Sequence, residues 1–227
     1  MLNSAKLILS SAIVCGLIAV PADARGVRGR AIHRNASGGV SRSAGAAAKG
    51  PNGGEAAKGH TMSTDGQGDA TRNSAAKATG ANGGTASRQG TTSVSNGVTT
   101  HQGTGSVAGP NGGSVEHTGT TSVSNGTVSH EGTTSATGPN GGTASHTGTT
   151  SAGNGSVSHQ GTTSATGPNG GSAQTTGTAG GGTATRTTQA TGPNGGSYTG
   201  STTATKGSGV QHTGTCTNAS GAVVPCK

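Results

Sequence analysis

The chain has 227 residues, a formal net charge of +8, 47 glycines, one Tyr, and neither Phe nor Trp. All of its leucines (Leu2, Leu7, Leu9 and Leu17) stand at the N-terminal end, which excludes an ordinary hydrophobic core elsewhere, because so few bulky apolar residues cannot offset the entropy of ordering the chain. The few Asp and Glu residues are scattered, so paired-carboxylate chemistry is excluded too, and the protein is expected to be non-enzymatic and without a cofactor.

The N-terminus has the pattern of a signal peptide over residues 1–24. Lys6 supplies the positive region, Leu7 to Val20 an apolar run, and Ala22-Asp23-Ala24 an A-x-A cleavage site,. This implies export to the periplasm or beyond the cell. The apolar run is short for a membrane span, so no transmembrane segment is expected after cleavage.

Residues 25–51 hold Gly, Ser, Ala and Arg without periodicity and read as a flexible basic arm. Its arginines, Arg25, Arg28, Arg30, Arg34 and Arg42, are candidates for contact with an anionic polysaccharide or envelope surface. With no interleaved aromatics to stack on bases, sequence-specific nucleic-acid binding is not expected. Residues 52–81 resemble a degenerate repeat, with Asn52-Gly53-Gly54 and Asp65-Gly66 near two turn positions.

Residues 82–205 form a repeat array. Gly90, Gly103, Gly119, Gly132, Gly148, Gly161 and Gly177 alternate in spacing between 13 and 16 residues. The full period of 29 is marked by Asn82, Asn111, Asn140 and Asn169. A fixed period of this size signals units that stack on their neighbours. Each unit has two turns. One is a bare Asn-Gly (Asn96-Gly97, Asn125-Gly126, Asn154-Gly155), which suits a type I′ hairpin,. The other is Gly-Pro-Asn-Gly-Gly, as at 138–142 and 167–171,. Between them run Thr-, Ser- and Val-rich stretches that alternate as strands do.

Folding at these turns brings like residues together. Ser124 meets Thr127, Val123 meets Val128, Gly119 meets Gly132, and Val115 meets Ala136 across one turn; Ala136 meets Ala144 and Gly132 meets Gly148 across the other,. The fold class is therefore all-β, built of 29-residue repeats. The mirror pairing favours an antiparallel meander, folded or self-associated into layers. A β-solenoid is the alternative, and the composition leaves partial or complete disorder open. One face of a strand carries Val115, His117, Gly119, Thr121 and Val123 and is expected to be the buried one. The other carries Thr118, Thr120, Ser122 and Ser124.

Two chemical readings attach to the array. His101, His117, His130, His146 and His159 hold one column of consecutive half-repeats, with Arg88 before and Thr175 after. Stacked imidazoles could ligate Zn²⁺, Ni²⁺ or Cu²⁺, or respond to pH. The Thr/Ser face, in turn, resembles the arrays of β-helical ice-binding proteins. In residues 206–227, Cys216 and Cys226 are expected to form a disulfide that caps the array,.

The phrase GTTSATGPNGG, the A-x-A signal and the closing TCTNASGAVVPC together resemble uncharacterised secreted Gly/Ser/Thr-rich repeat proteins of Gram-negative bacteria. The resemblance implies location and repeat character, and no activity. In architecture the chain is also similar to curli-type amyloid subunits, though their repeats are shorter and carry regular Gln and Asn ladders. The expected function is that of an exported structural or surface-interaction protein of the envelope or matrix, capable of self-association. Ice binding and a metal- or pH-responsive histidine array are the alternatives.

Overall fold

The computed structural model describes residues 26–34 and 38–226. The expected signal peptide, 1–24, and Arg25 lie outside the described residues. Strands follow one another along the chain as β1 (Val27–Arg34), β2 (Val40–Lys49), β3 (Glu55–Thr64), β4 (Ala70–Thr79) and β5 (Thr85–Ser95). Next come β6 (Val98–Ala108), β7 (Ser114–Ser124), β8 (Thr127–Thr137), β9 (Thr143–Gly153) and β10 (Ser156–Thr166). The last are β11 (Ser172–Gly180), β12 (Thr183–Thr191), β13 (Ser197–Thr205), β14 (Gly209–Thr217) and the short β15 (Val223–Val224).

They form one open sheet of 15 strands whose spatial order is the chain order, and neighbours are antiparallel. The fold is an up-and-down meander, and the solenoid alternative is discarded. The turns decide this. Asn96, Asn125 and Asn154 hold φ of 51°, 49° and 51°, and Gly97, Gly126 and Gly155 follow at 75°, 73° and 73°. Two successive positive φ values define a type I′ turn, whose twist matches that of a hairpin and not of a solenoid corner. In the longer loops the Gly138 N–H donates to the Gly142 carbonyl at 2.7 Å and the Gly141 N–H to the Gly138 carbonyl at 3.0 Å. Gly141 sits at φ 84°, so Pro139 starts a type I turn and glycine closes it. The same pair of bonds recurs at 50–54, 80–84, 109–113, 167–171 and 192–196.

The register agrees with the mirror pairing of the sequence. Val123 faces Val128, Gly119 faces Gly132 and Val115 faces Ala136; Gly132 then faces Gly148 and Ala136 faces Ala144. Residues 25–51 depart from expectation: they carry β1 and β2 instead of a free arm. Ala46, Ala47 and Ala48 pair with Lys58, Ala57 and Ala56 of β3. Small residues fit a pleated ladder without a repeat phrase to announce it, and Gly50-Pro51-Asn52-Gly53-Gly54 makes the same loop as its later copies. Sheet structure therefore runs past both ends of 82–205.

The expectation of a buried face also fails. No hydrophobic residue is buried among the described residues, and Val115 and Val123 remain 44% and 39% exposed. A meander of single-layer strands offers each face only its own neighbours, so what holds it is the ladder and its cross-strand side-chain pairs. The C-terminal end is the most heavily tied. Cys216 and Cys226 form a disulfide, and Tyr198 lays its ring over Gly200 and Gly214, covering glycine backbone as an aromatic neighbour does in other sheets.

Candidate functional site, one basic face of the sheet

The pleat sends alternate residues to opposite faces, and the observed registers sort the chain's chemistry sharply. Call the glycine face the one bearing Val115, His117, Gly119, Thr121 and Val123, and the hydroxyl face its reverse. Followed from pair to pair, the glycine face gathers Arg28, Arg30, Arg34, Arg42, Lys58, Arg72, Arg88 and Arg186. No described Asp or Glu lies on it. Glu55, Glu116 and Glu131 point to the hydroxyl face, and Asp65 and Asp69 sit in a turn. Lys49 and Lys77 are on the hydroxyl face, where Lys49 pairs with Glu55 at 3.0 Å. Such an exposed pair adds little stability, but it neutralises the charge of that lysine.

The apolar residues sort in the same way. Ile32, Met62, Val94, Val107, Val115, Val123, Val128, Val157 and Val210 are all exposed and belong to the glycine face, and of the exposed large apolar residues only Val223, opposite Thr217 in the C-terminal cap, is on the hydroxyl face. On the hydroxyl face stands instead an unbroken row of threonines, Thr104, Thr118, Thr133, Thr147, Thr162, Thr176 and Thr187. Ser145 and Ser164 share a 2.6 Å hydrogen bond there, and Ser87 and Ser106 one of 2.7 Å.

Within the glycine face the basic groups form two lines across the strands. One is Arg28, Lys58, Arg88, His117 and His146, on β1, β3, β5, β7 and β9. The other is Arg42, Arg72, His101, His130 and His159, on β2, β4, β6, β8 and β10. On β5, Arg88 belongs to the first line and Thr92 to the second, so the lines run four residues, about 13–14 Å, apart. Between them lies a row without side chains from Gly90 to Gly177. Toward β1 that central row becomes Ser74, His60, Ala44 and Arg30.

The single histidine column expected from the sequence is thus two columns. Each His stands two residues before its glycine, and antiparallel strands reverse direction at every turn, so successive histidines fall on opposite sides of the glycine row. Each ring is held by its cross-strand threonine. The Nδ1–Oγ1 distances are 2.8 Å for His101–Thr92, 2.9 Å for His117–Thr134 and 2.9 Å for His130–Thr121. They are 2.8 Å for His146–Thr163 and 2.9 Å for His159–Thr150. These bonds turn Nε2 toward the glycines: a Cβ on Gly119 would meet His117 Nε2 at 3.3 Å and His130 Cε1 at 3.4 Å. Rings lean over Gly119–Gly132 and Gly148–Gly161 in pairs, and His101 leans alone over Gly90–Gly103. Among the described residues no three His, Cys, Asp or Glu groups converge on a point that could hold a metal ion.

A groove of about 830 Å³ opens on the glycine face across β1–β8, walled by Ala48, Ala56, Ala78, Ala86, Val107 and Val115 and edged by Arg28, Lys58 and Arg88. A smaller depression, about 570 Å³, lies on the other side around Glu131, Thr149 and Gln160. Of the arginines expected to meet an anionic surface, Arg28, Arg30, Arg34 and Arg42 do share one face. Lys58, Arg72 and Arg88 belong with them and escaped sequence reading. The signal was a spacing of 30 residues, 28–58–88 and 42–72, running on into the histidine period.

No protein-family model, curated protein or solved structure matches the chain. Among the described residues no helix is long and apolar enough to cross a membrane.

Proposed function

We propose that the chain is an exported, non-enzymatic surface-interaction protein of the cell envelope or matrix, and that its glycine face is the contact surface for an anionic partner. The observation that carries this reading is the segregation of charge: every described arginine, and no described acid, stands on that face. A row of like charges on an open sheet destabilises the free protein, and a polyanion relieves it by releasing counterions. Exposed valines on the same face favour a surface that is covered in use, because contiguous exposed apolar area marks interaction sites. Export is supported by the A-x-A signal and by the Cys216–Cys226 disulfide, a bond that persists in oxidising compartments,. The test is retention of the full chain on an anionic matrix, with a neutral matrix as control. Salt-dependent retention that charge removal on the glycine face abolishes supports the reading; equal retention on both matrices sinks it.

A second reading, ice binding, is favoured by the threonine row on the hydroxyl face, repeated strand after strand at about 4.8 Å. Thermal hysteresis in the full chain, lost on substituting Thr133 and Thr147 by Lys, is its expected signature. Freezing behaviour no different from that of an inert protein removes it.

A further inference from the structure

The two basic lines are not merely cationic; they are staggered. One uses only odd-numbered strands from β1 to β9 and the other only even-numbered strands from β2 to β10. A path followed across the strands between the two lines therefore passes one of their basic side chains per strand, about every 4.8 Å, from alternating sides. Within each line the bases repeat every second strand, about 9.6 Å. The lines stand about 13–14 Å apart; the row between them is glycine from β5 to β11, with the histidine rings leaning over it, and Ser74, His60, Ala44 and Arg30 from β4 to β1.

We infer that this channel takes a linear acidic polysaccharide with one carboxylate per sugar, held as an extended two-fold ribbon lying across the strands. The inference rests on the anionic-contact reading above and names its partner. In such a ribbon, diequatorially 1,4-linked, each sugar advances by a length close to one strand spacing and is flipped relative to the last. Its carboxylates therefore emerge on alternating sides, in step with Arg28, Arg42, Lys58, Arg72 and Arg88. Guanidinium groups suit carboxylates because their planar donors can engage both oxygens. Further along, the Nδ1-anchored histidines present Nε2, which has no hydrogen-bond partner among the described residues, toward the same channel. It serves there as a donor or acceptor to sugar hydroxyls or carboxylates.

Other polyanions match the pattern less well. Duplex DNA places phosphates about every 3.4 Å along each strand, out of step with the ladder, and no aromatic side chain lines the channel to stack on bases,. An anionic bilayer is flat, whereas Arg28, Lys58 and Arg88 edge a groove. A glycan with one acid per disaccharide would satisfy a single line and leave the other unpaired.

The experiment measures binding of the full chain to a β-1,4-linked polymannuronate, to hyaluronate, to anionic phospholipid vesicles and to single-stranded DNA, at equal charge concentration and fixed salt. Polymannuronate is expected to bind at least roughly 10-fold tighter than the other three, since only it can pair both lines at once. R28Q/K58Q/R88Q should then lower its affinity by roughly 100-fold, while K49Q/K77Q on the opposite face changes it less than about 2-fold. Circular dichroism checks that the variants keep their sheet. Equal binding to all four anions, or preference for DNA or vesicles, overturns the ribbon inference and leaves the anionic-contact reading standing. Failure to bind any of them overturns both.

Discussion

Strands β1–β5 and β6–β10 share one frame and carry different chemistry on it. In the first, the two lines are filled by Arg28, Arg42, Lys58, Arg72 and Arg88, and the repeat phrase is worn away in β1–β4. In the second, the phrase is nearly perfect and the same places hold His101, His117, His130, His146 and His159. What persists between them is the row position of a base, spaced two strands apart. What changes is the side chain that supplies it, guanidinium or ammonium in one half and imidazole in the other. A repeated sequence copies every residue whether or not it has a use, so the histidine half alone says little about purpose. The arginine half is more informative, because there the phrase has decayed and the basic positions have stayed.

That contrast can be broken or sharpened by substitution. The largest effect is expected from charge. Removing Arg42 and Arg72 by R42Q/R72Q should weaken polymannuronate binding by roughly 10- to 100-fold at low salt. Replacing His101, His130 and His159 with Gln should change it less than about 3-fold, because the planar guanidinium fork is the stronger partner for a carboxylate. Isothermal titration reads both results. If the histidine variant binds as weakly as the arginine variant, the division between the halves collapses.

The next effects concern stability at the far end. C216S/C226S opens the C-terminal loop and should cost about 2–3 kcal/mol by the chain-entropy account. Hydrogen exchange should show the loss in β13 to β15 and leave β1–β5 unchanged, because each strand touches only its neighbours,. Spread of the loss to β1 would mean that the sheet melts as one unit. Within the histidine half, Gly126→Val removes the positive φ that the type I′ turn requires, 73° at this position. It should destabilise the β7–β8 hairpin by roughly 1 kcal/mol or more, seen as faster exchange of its amides. The smallest effect is expected from Thr121→Val, which deletes the hydroxyl bonded to His130 Nδ1. An exposed hydrogen bond of this kind is worth about 0.5 kcal/mol. NMR should show a more mobile His130 ring with His117 unmoved.

The sequence by itself determined the hairpins, the strand register and the disulfide. Asn125-Gly126 and Gly138-Pro139-Asn140-Gly141-Gly142 dictate backbone conformation locally, and once two turns are fixed a period-2 ladder has no freedom left. Cys216 and Cys226 could be paired because no other cysteine stands outside the expected signal peptide. Tertiary structure alone decided three things. It drew Val27–Arg34 and Val40–Lys49 into the sheet, where pairing with β3 and with each other supplies an order that no local phrase announces. It left both faces open, because one layer has no second layer to bury against. It also split one sequence column of histidines into two lines and set Arg28, Lys58 and Arg88 beside one of them. In an antiparallel sheet, equal offsets from a row of glycines fall on alternating sides of it, and only the strand directions, summed over many turns, reveal which bases share a line.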